Sequence, residues 1–224
     1  MLPAFSLAPE ASLSASAYRA FEAAWAARDP DLLPAGVARW HFLQWLAGQG
    51  FLLHGSAQAN LTRFEPRTPH DLSADDFSKR TGVFAASDGL WAMMYALRDR
   101  VRTARMLNMA VQVRQEGGWS PTGYFLSLAP RRPLHLGGPA LLVPGWVYVL
   151  PRTGFEPMPP YDWPGLGRVR EPHWVSAQAA VPLLRVPVGP ADFPLPVHTH
   201  DAATVDARAH ANPWGFPWGV GEGT

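Results

Sequence analysis

The sequence predicts an α+β fold: a split or curved, mostly antiparallel sheet, an N-terminal pair of helices, and one helix crossing the sheet. Three observations predict it. Two segments near the N-terminus repeat large apolar residues at three- and four-residue intervals, the period of a helix. From Ala104 the period changes to two, with Met109, Val111 and Val113 on one face. The chain also carries 24 prolines and 20 glycines, which interrupt helices and favour turns, strand ends and sheet edges.

Taken in order, residues 1–14 are rich in Ala, Ser and Pro and predict a loosely held arm. Tyr18, Phe21, Ala24 and Trp25 mark a first helix, and Val37, Trp40, Leu43 and Ala47 a second. Asp29-Pro30 separates them, because proline and the residue before it both disfavour helix. Gly48 and Gly50 suit the C-terminal stop of the second helix. Residues 15–49 are therefore a helical pair resting on the remaining domain. Phe51 to His54 reads as a buried strand. The polar stretch 57–80, with Pro66, Pro69, Asp71, Asp75 and Asp76, has the length of a functional loop.

Thr81 to Ala86 is the next strand, and Asp88 is placed to cap a helix running through Trp91, Met94, Tyr95 and Leu97-Arg98. The alternating segment from Ala104 meets Glu116-Gly117-Gly118 and returns as Tyr124 to Leu128, a hairpin. Gly145 to Leu150, Trp174-Val175-Ser176 and Val181 to Val188 complete the strands. Pro182 and Pro187 in the last of these suit edge positions or strand ends. Residues 50–190 form the main α+β domain. Residues 191–224, rich in His, Pro, Trp and Gly, predict an irregular tail. No internal repeat is present.

Composition narrows the function. A length of 224 residues and a hydrophobic fraction of 47% suit one substantial domain with a core. Nineteen basic residues against 18 acidic leave no global field to gather nucleic acid or an anionic membrane. Lys79 is the one lysine. Arginine favours planar, bidentate contacts with phosphates and carboxylates, although a GC-rich coding sequence produces the same Ala-, Pro- and Arg-rich composition. The absence of cysteine excludes disulfides, thiolate metal sites and a cysteine nucleophile. With no run of about 18 apolar residues and no basic stretch opening the chain, the expectation is a soluble, cytoplasmic protein. Ten tryptophans are many. A buried indole needs a partner for its N–H, so some should line grooves or rims.

The residues that carry chemistry begin with His54-Gly55-Ser56. Gly55 lacks a Cβ, so a planar ligand can approach its backbone closely. His54 offers a donor and an acceptor at fixed separation, and Ser56 adds a hydroxyl. About thirty residues on comes Val83-Phe84-Ala85-Ala86-Ser87-Asp88, where Phe84 offers a stacking face. Plainer readings stand beside these: a histidine satisfied at a strand end, a core phenylalanine, and Asp88 as a helix cap.

In this order the elements resemble the ADP-ribosyltransferase superfamily, closest to the rifamycin ADP-ribosyltransferases and poly(ADP-ribose) polymerases. His54-Gly55-Ser56 resembles their His-Gly-Thr/Ser element. Val83 to Ser87 with Leu90-Trp91-Ala92, and Gly145 to Val149 with Thr153-Gly154-Phe155-Glu156, resemble later motifs of the rifamycin enzyme. His173-Trp174-Val175-Ser176 falls where the last motif would lie. The likeness covers roughly residues 50–190 outside the hairpin.

What the resemblance implies is NAD as substrate, with ADP-ribose passed to a protein, nucleic acid or small-molecule acceptor. His54 would bond the ribose, Gly55 would clamp the carboxamide, Ser56 would add a hydroxyl, Phe84 would stack on the nicotinamide, and Ser87 would face the same cleft. The family often places a glutamate third, to stabilise positive charge as nicotinamide leaves. Glu156 in the acidic turn is one candidate, while His173 occupies the polymerase-type position with Glu171 two residues away. Phenylalanine at 84 and histidine at 173 depart from the family pattern. They favour the alternative of a catalytically inactive nucleotide- or ADP-ribose-binding module on the same fold, while the aromatic tail and helical N-terminus leave open a protein-interaction domain.

Other groupings carry less. His198, His200 and Asp201, extended by Asp206 and His210, have metal-ligand spacing but no predicted element to preorganise them, so no metal is expected. Glycine-rich dinucleotide, phosphate-loop and nucleophile-elbow motifs are missing. Arg98, Arg100, Arg102 and Arg105 form a basic cluster suited to a phosphate or to a solvated helix end. Pro213 to Trp218 should dock on its own domain, since paired exposed tryptophans invite aggregation.

Overall fold

The computed structural model describes residues 5–69 and 73–218. The chain runs β1 (Ser6–Leu7), α1 (Ala15–Ala27), α2 (Arg39–Gly48), β2 (Leu52–Ser56), β3 (Val83–Ala86), α3 (Gly89–Leu97) and β4 (Thr103–Gln115). It continues through β5 (Gly118–Trp119), β6 (Gly123–Pro130), β7 (Gly145–Leu150), β8 (Glu156–Pro157), β9 (Tyr161–Trp163) and β10 (Gly167–Arg170). It closes with β11 (His173–Ser176), β12 (Leu184–Val188), β13 (His198–Thr199) and α4 (Ala202–Ala211).

The fold is α+β, with the strands in two sheets. One has the order β12-β7-β2-β3-β11-β8, with every pairing antiparallel. The other has the order β1-β6-β4-β10-β9, with β5 added to β4 and β13 added to β6. The short β13–β6 pairing is parallel, and the long β4–β6 hairpin is the one the alternating pattern predicts. Proline-bearing β12 is an edge strand, where a missing backbone N–H costs little.

Helix α3 crosses the six-stranded sheet and touches β4 of the other. Every residue of α3 except Tyr95 is buried, as its nearly continuous apolar sequence requires. Two glycines let it sit close. A Cβ on Gly55 would lie 1.9 Å from the Ala92 carbonyl oxygen, and one on Gly145 2.0 Å from that of Ala96. Asp88 caps the helix as expected, its Oδ1 accepting from Trp91 N at 2.8 Å. Its Oδ2 accepts from Tyr124 Oη at 2.6 Å and Gln44 Nε2 at 3.1 Å, tying α2, α3 and β6 together. The expected helical pair is present. Phe21 of α1 meets Phe42 of α2 with ring centroids 5.4 Å apart, and both belong to the same core as α3.

Two expectations about the ends of the chain are corrected. The arm 1–14 is not loose where it is described: Phe5 is buried, and Ser6-Leu7 pair with Tyr124 and Gly123 of β6. The tail 191–224 is not irregular throughout. It forms β13 and the ten-residue α4, N-capped by Asp201 Oδ1 accepting from Thr204 N at 2.8 Å. Only Val205 and Ala209 of that helix are buried, and an apolar stripe made mostly of alanine has little contrast in sequence. Beyond α4, Trp214 and Phe216 are half-buried and Trp218 is buried against Asn212 and Arg208, so the aromatic tail docks on its own domain. Among the described residues no helix is long and apolar enough to cross a membrane.

Candidate functional site

β2 pairs with β7 over five residues but with β3 only at Leu53 opposite Ala86. Past that bridge β2 and β3 separate. A cavity of about 220 Å³ opens along the split, walled by His54, Gly55, Phe84, Trp91, Tyr95 and His173. His54 spans the gap, its Nδ1 lying 2.6 Å from the Phe84 carbonyl oxygen. A carbonyl can only accept, so Nδ1 carries the proton and the neutral ring presents Nε2 as an acceptor. Burial pushes the His54 pKa down. The bond to Phe84 opposes that shift, and the nearby Arg100 and Arg67 reinforce it. Both arginines are exposed, and Arg100 stands in the cavity wall.

Opposite His54, the Phe84 ring lies 5.0 Å from that of His173. His173 also meets Trp91 at 5.1 Å and Phe77 at 5.5 Å, and its Nδ1 is 3.4 Å from Ser78 Oγ. Burial lowers its pKa to about 4 against the opposing pull of Asp75. Both imidazoles are therefore neutral near pH 7. Phe77 and Ser78 belong to the long polar connection after β2, which folds back as one wall.

The remaining predicted residues behave differently. Gly55 does line the cavity, but the space beside its Cα is filled by the α3 backbone, so its missing Cβ is required by helix packing. Ser56 is buried and its Oγ accepts from Gln58 N at 3.1 Å, holding the turn after β2. The Oγ of Ser87 accepts from Trp174 Nε1 at 3.0 Å, and neither serine lines the cavity. Glu156 is the clearest correction. It sits on β8 at the edge of the sheet, beyond β11 from the split, exposed and ion-paired to Arg80 at 3.0 Å. Among the described residues this cavity has no carboxylate in its wall.

A second hollow of about 290 Å³ adjoins the first between α3 and β4, and the two share Ser78, Trp91, Tyr95 and His173. Trp91 and Tyr95 lie four residues apart on one face of α3, and Arg98 is its C-cap. Trp91 Nε1 donates to Asn108 Oδ1 on β4 at 2.5 Å. At the Trp91 end stand Asp75 and Glu171, the latter accepting from Tyr161 Oη at 2.5 Å. At the other end are Arg98 and Arg105. The sequence places Trp91 and Tyr95 on the helix that Asp88 caps and assigns them no cleft. The apolar stripe that makes a helix also walls a cleft, so only the position of β4 separates the two roles.

The His- and Asp-rich tail is structural where described. Ser127 Oγ and His200 Nδ1 are 2.8 Å apart, and Asp206 Oδ2 accepts from Arg105 Nε at 3.2 Å and Nη2 at 3.0 Å. No protein-family model matches the chain, and no curated protein or solved structure does either.

Proposed function

We propose that the chain binds NAD in the β2–β3 split, as a nucleotide-binding module on an ADP-ribosyltransferase-like fold. One observation carries this reading: His54, Phe84 and His173, drawn from three strands, face a single cavity. Phe84 and the neutral His173 offer flat faces to a pyridine ring. His54 Nε2 would accept from a ribose hydroxyl, and its position is held by the bond from Nδ1 to Phe84. Arg67 and Arg100, close enough to depress the His54 pKa, supply positive charge for a diphosphate.

Binding without transfer fits the wall chemistry best. Departure of nicotinamide leaves positive charge on the ribose, which a carboxylate stabilises and a neutral imidazole stabilises less. Transfer of ADP-ribose to an acceptor is the second reading. It is favoured by Glu171, which faces the adjoining hollow two residues from His173.

Calorimetric titration of NAD into the protein tests both readings. Binding should weaken at least about tenfold in His54→Ala and in Phe84→Ala, the loss of a hydrogen-bonded or stacked contact of about 1.4 kcal/mol or more. Free nicotinamide should stay at background. Unchanged affinity in both folded variants, or no binding by the parent, would reject the proposal. Nicotinamide release that Glu171→Gln abolishes would select transfer.

A further inference from the structure

We infer that the hollow between α3 and β4 is a second binding site, for a nucleoside monophosphate whose base carries an exocyclic amine. The groove is polarised along its length. From Trp91 to Leu97 the helix rises about 9 Å, and Arg98 follows as its extended C-cap, so the span is roughly the reach from the edge of a base to its 5′-phosphate. One end has an aromatic cluster in which Trp163 and Trp214 lie 5.9 Å apart, Tyr161 and Trp214 6.1 Å, and Tyr161 and Trp163 6.2 Å, so a base would stack on its outer face. Asp75 and Glu171 face the same end. A base stacked there would give its amine N–H groups to a carboxylate, while the negative charges would repel a phosphate.

The opposite end accepts that phosphate. Arg98 is held by two long bonds from Nη2 to the Thr103 and Ala104 carbonyls, each 3.4 Å. Its buried Nε has no hydrogen-bond partner among the described residues. Asp206 pairs with Arg105, leaving Arg98 as the cation without a carboxylate partner among the described lining residues of that end. A simple organic cation would use the aromatic cluster and the carboxylates but leave the arginine end without a role. A nucleotide uses both ends in one orientation.

The hollow shares Ser78, Trp91, Tyr95 and His173 with the NAD cavity, but the inference does not rest on the NAD reading and is tested apart from it. Titrations with GMP, UMP and guanosine should show GMP binding about tenfold or more tighter than either, since UMP lacks the amine and guanosine the phosphate. Trp214→Ala should weaken GMP about 5- to 100-fold through lost stacking. Glu171→Gln, which keeps size and shape, should weaken GMP while sparing UMP. His54→Ala, which removes the imidazole of the other cavity, should leave GMP affinity unchanged. Equal affinity for the three ligands would overturn the inference, as would GMP binding indifferent to both groove variants. Tetramethylammonium binding more tightly than GMP, and lost in Glu171→Gln, would replace it with an organic-cation cage.

Discussion

Replacing Gly55 by alanine places a methyl carbon where the backbone of α3 already lies. The added Cβ would fall 1.9 Å from the Ala92 oxygen and 2.7 Å from the Ala96 nitrogen, whereas ordinary contact begins at 3.4 Å. Backbone atoms of a buried helix cannot swing aside like the end of a flexible side chain, so α3 must shift by about 1.5 Å as a unit. That shift breaks packing against the sheet and α2, and overpacking of this kind costs about 1–3 kcal/mol, occasionally more. Taking about 3 kcal/mol and about 2–4 °C per kcal/mol for a chain of this size, Tm should fall by about 6–12 °C. Trp91 and Tyr95 move with the helix, so ligand affinity should fall too. Scanning calorimetry on Gly55→Ala, with Gly48→Ala as control, makes the comparison. An alanine Cβ at Gly48 meets nothing within 4 Å, and this helical glycine should tolerate it at no loss. If the two variants melt together, the close packing of α3 on β2 is wrong.

The two remaining predictions concern charge. His173 has a folded pKa near 4 against an ordinary value of 6.5, so the unfolded chain takes up its proton first as the medium is acidified. Its stabilising contribution is complete above pH 6.5 and is lost as pH falls toward 4, by on the order of 3 kcal/mol. Urea unfolding of His173→Phe should show a shallower loss of stability across that window than the parent, and parallel curves would contradict the burial of this ring. Glu156→Ala removes only an exposed ion pair with Arg80. It should change stability by less than about 1 kcal/mol and leave NAD affinity as it is, so a large fall in calorimetric affinity would return Glu156 to the site.

Much of the fold is legible in the order of residues because burial patterns are local. The three-and-four spacing of Phe21, Ala24 and Trp25 and the two-residue alternation at Met109, Val111 and Val113 each report which face of one element turns inward. The Asp88 cap is legible for the same reason, since donor and acceptor lie three residues apart. The helix α4 was hidden because alanine provides little contrast between its two faces. His54, Phe84 and His173 stand out in the sequence by their order, and all three line one cavity.

What no local pattern decides is which strands lie beside which. Pairing of β2 with β3 at one bridge alone opens the cavity, and that depends on where β7 and β11 draw each strand. Glu156 belongs to an acidic turn in sequence, yet strand order sets it beyond β11 from the split. Gly55 reads equally as a ligand contact or a packing contact until α3 is laid against it. Local propensity is a property of neighbouring residues and was written in the chain from the start. The site is made by segments 30 to 120 residues apart, whose meeting is governed by how the whole core packs.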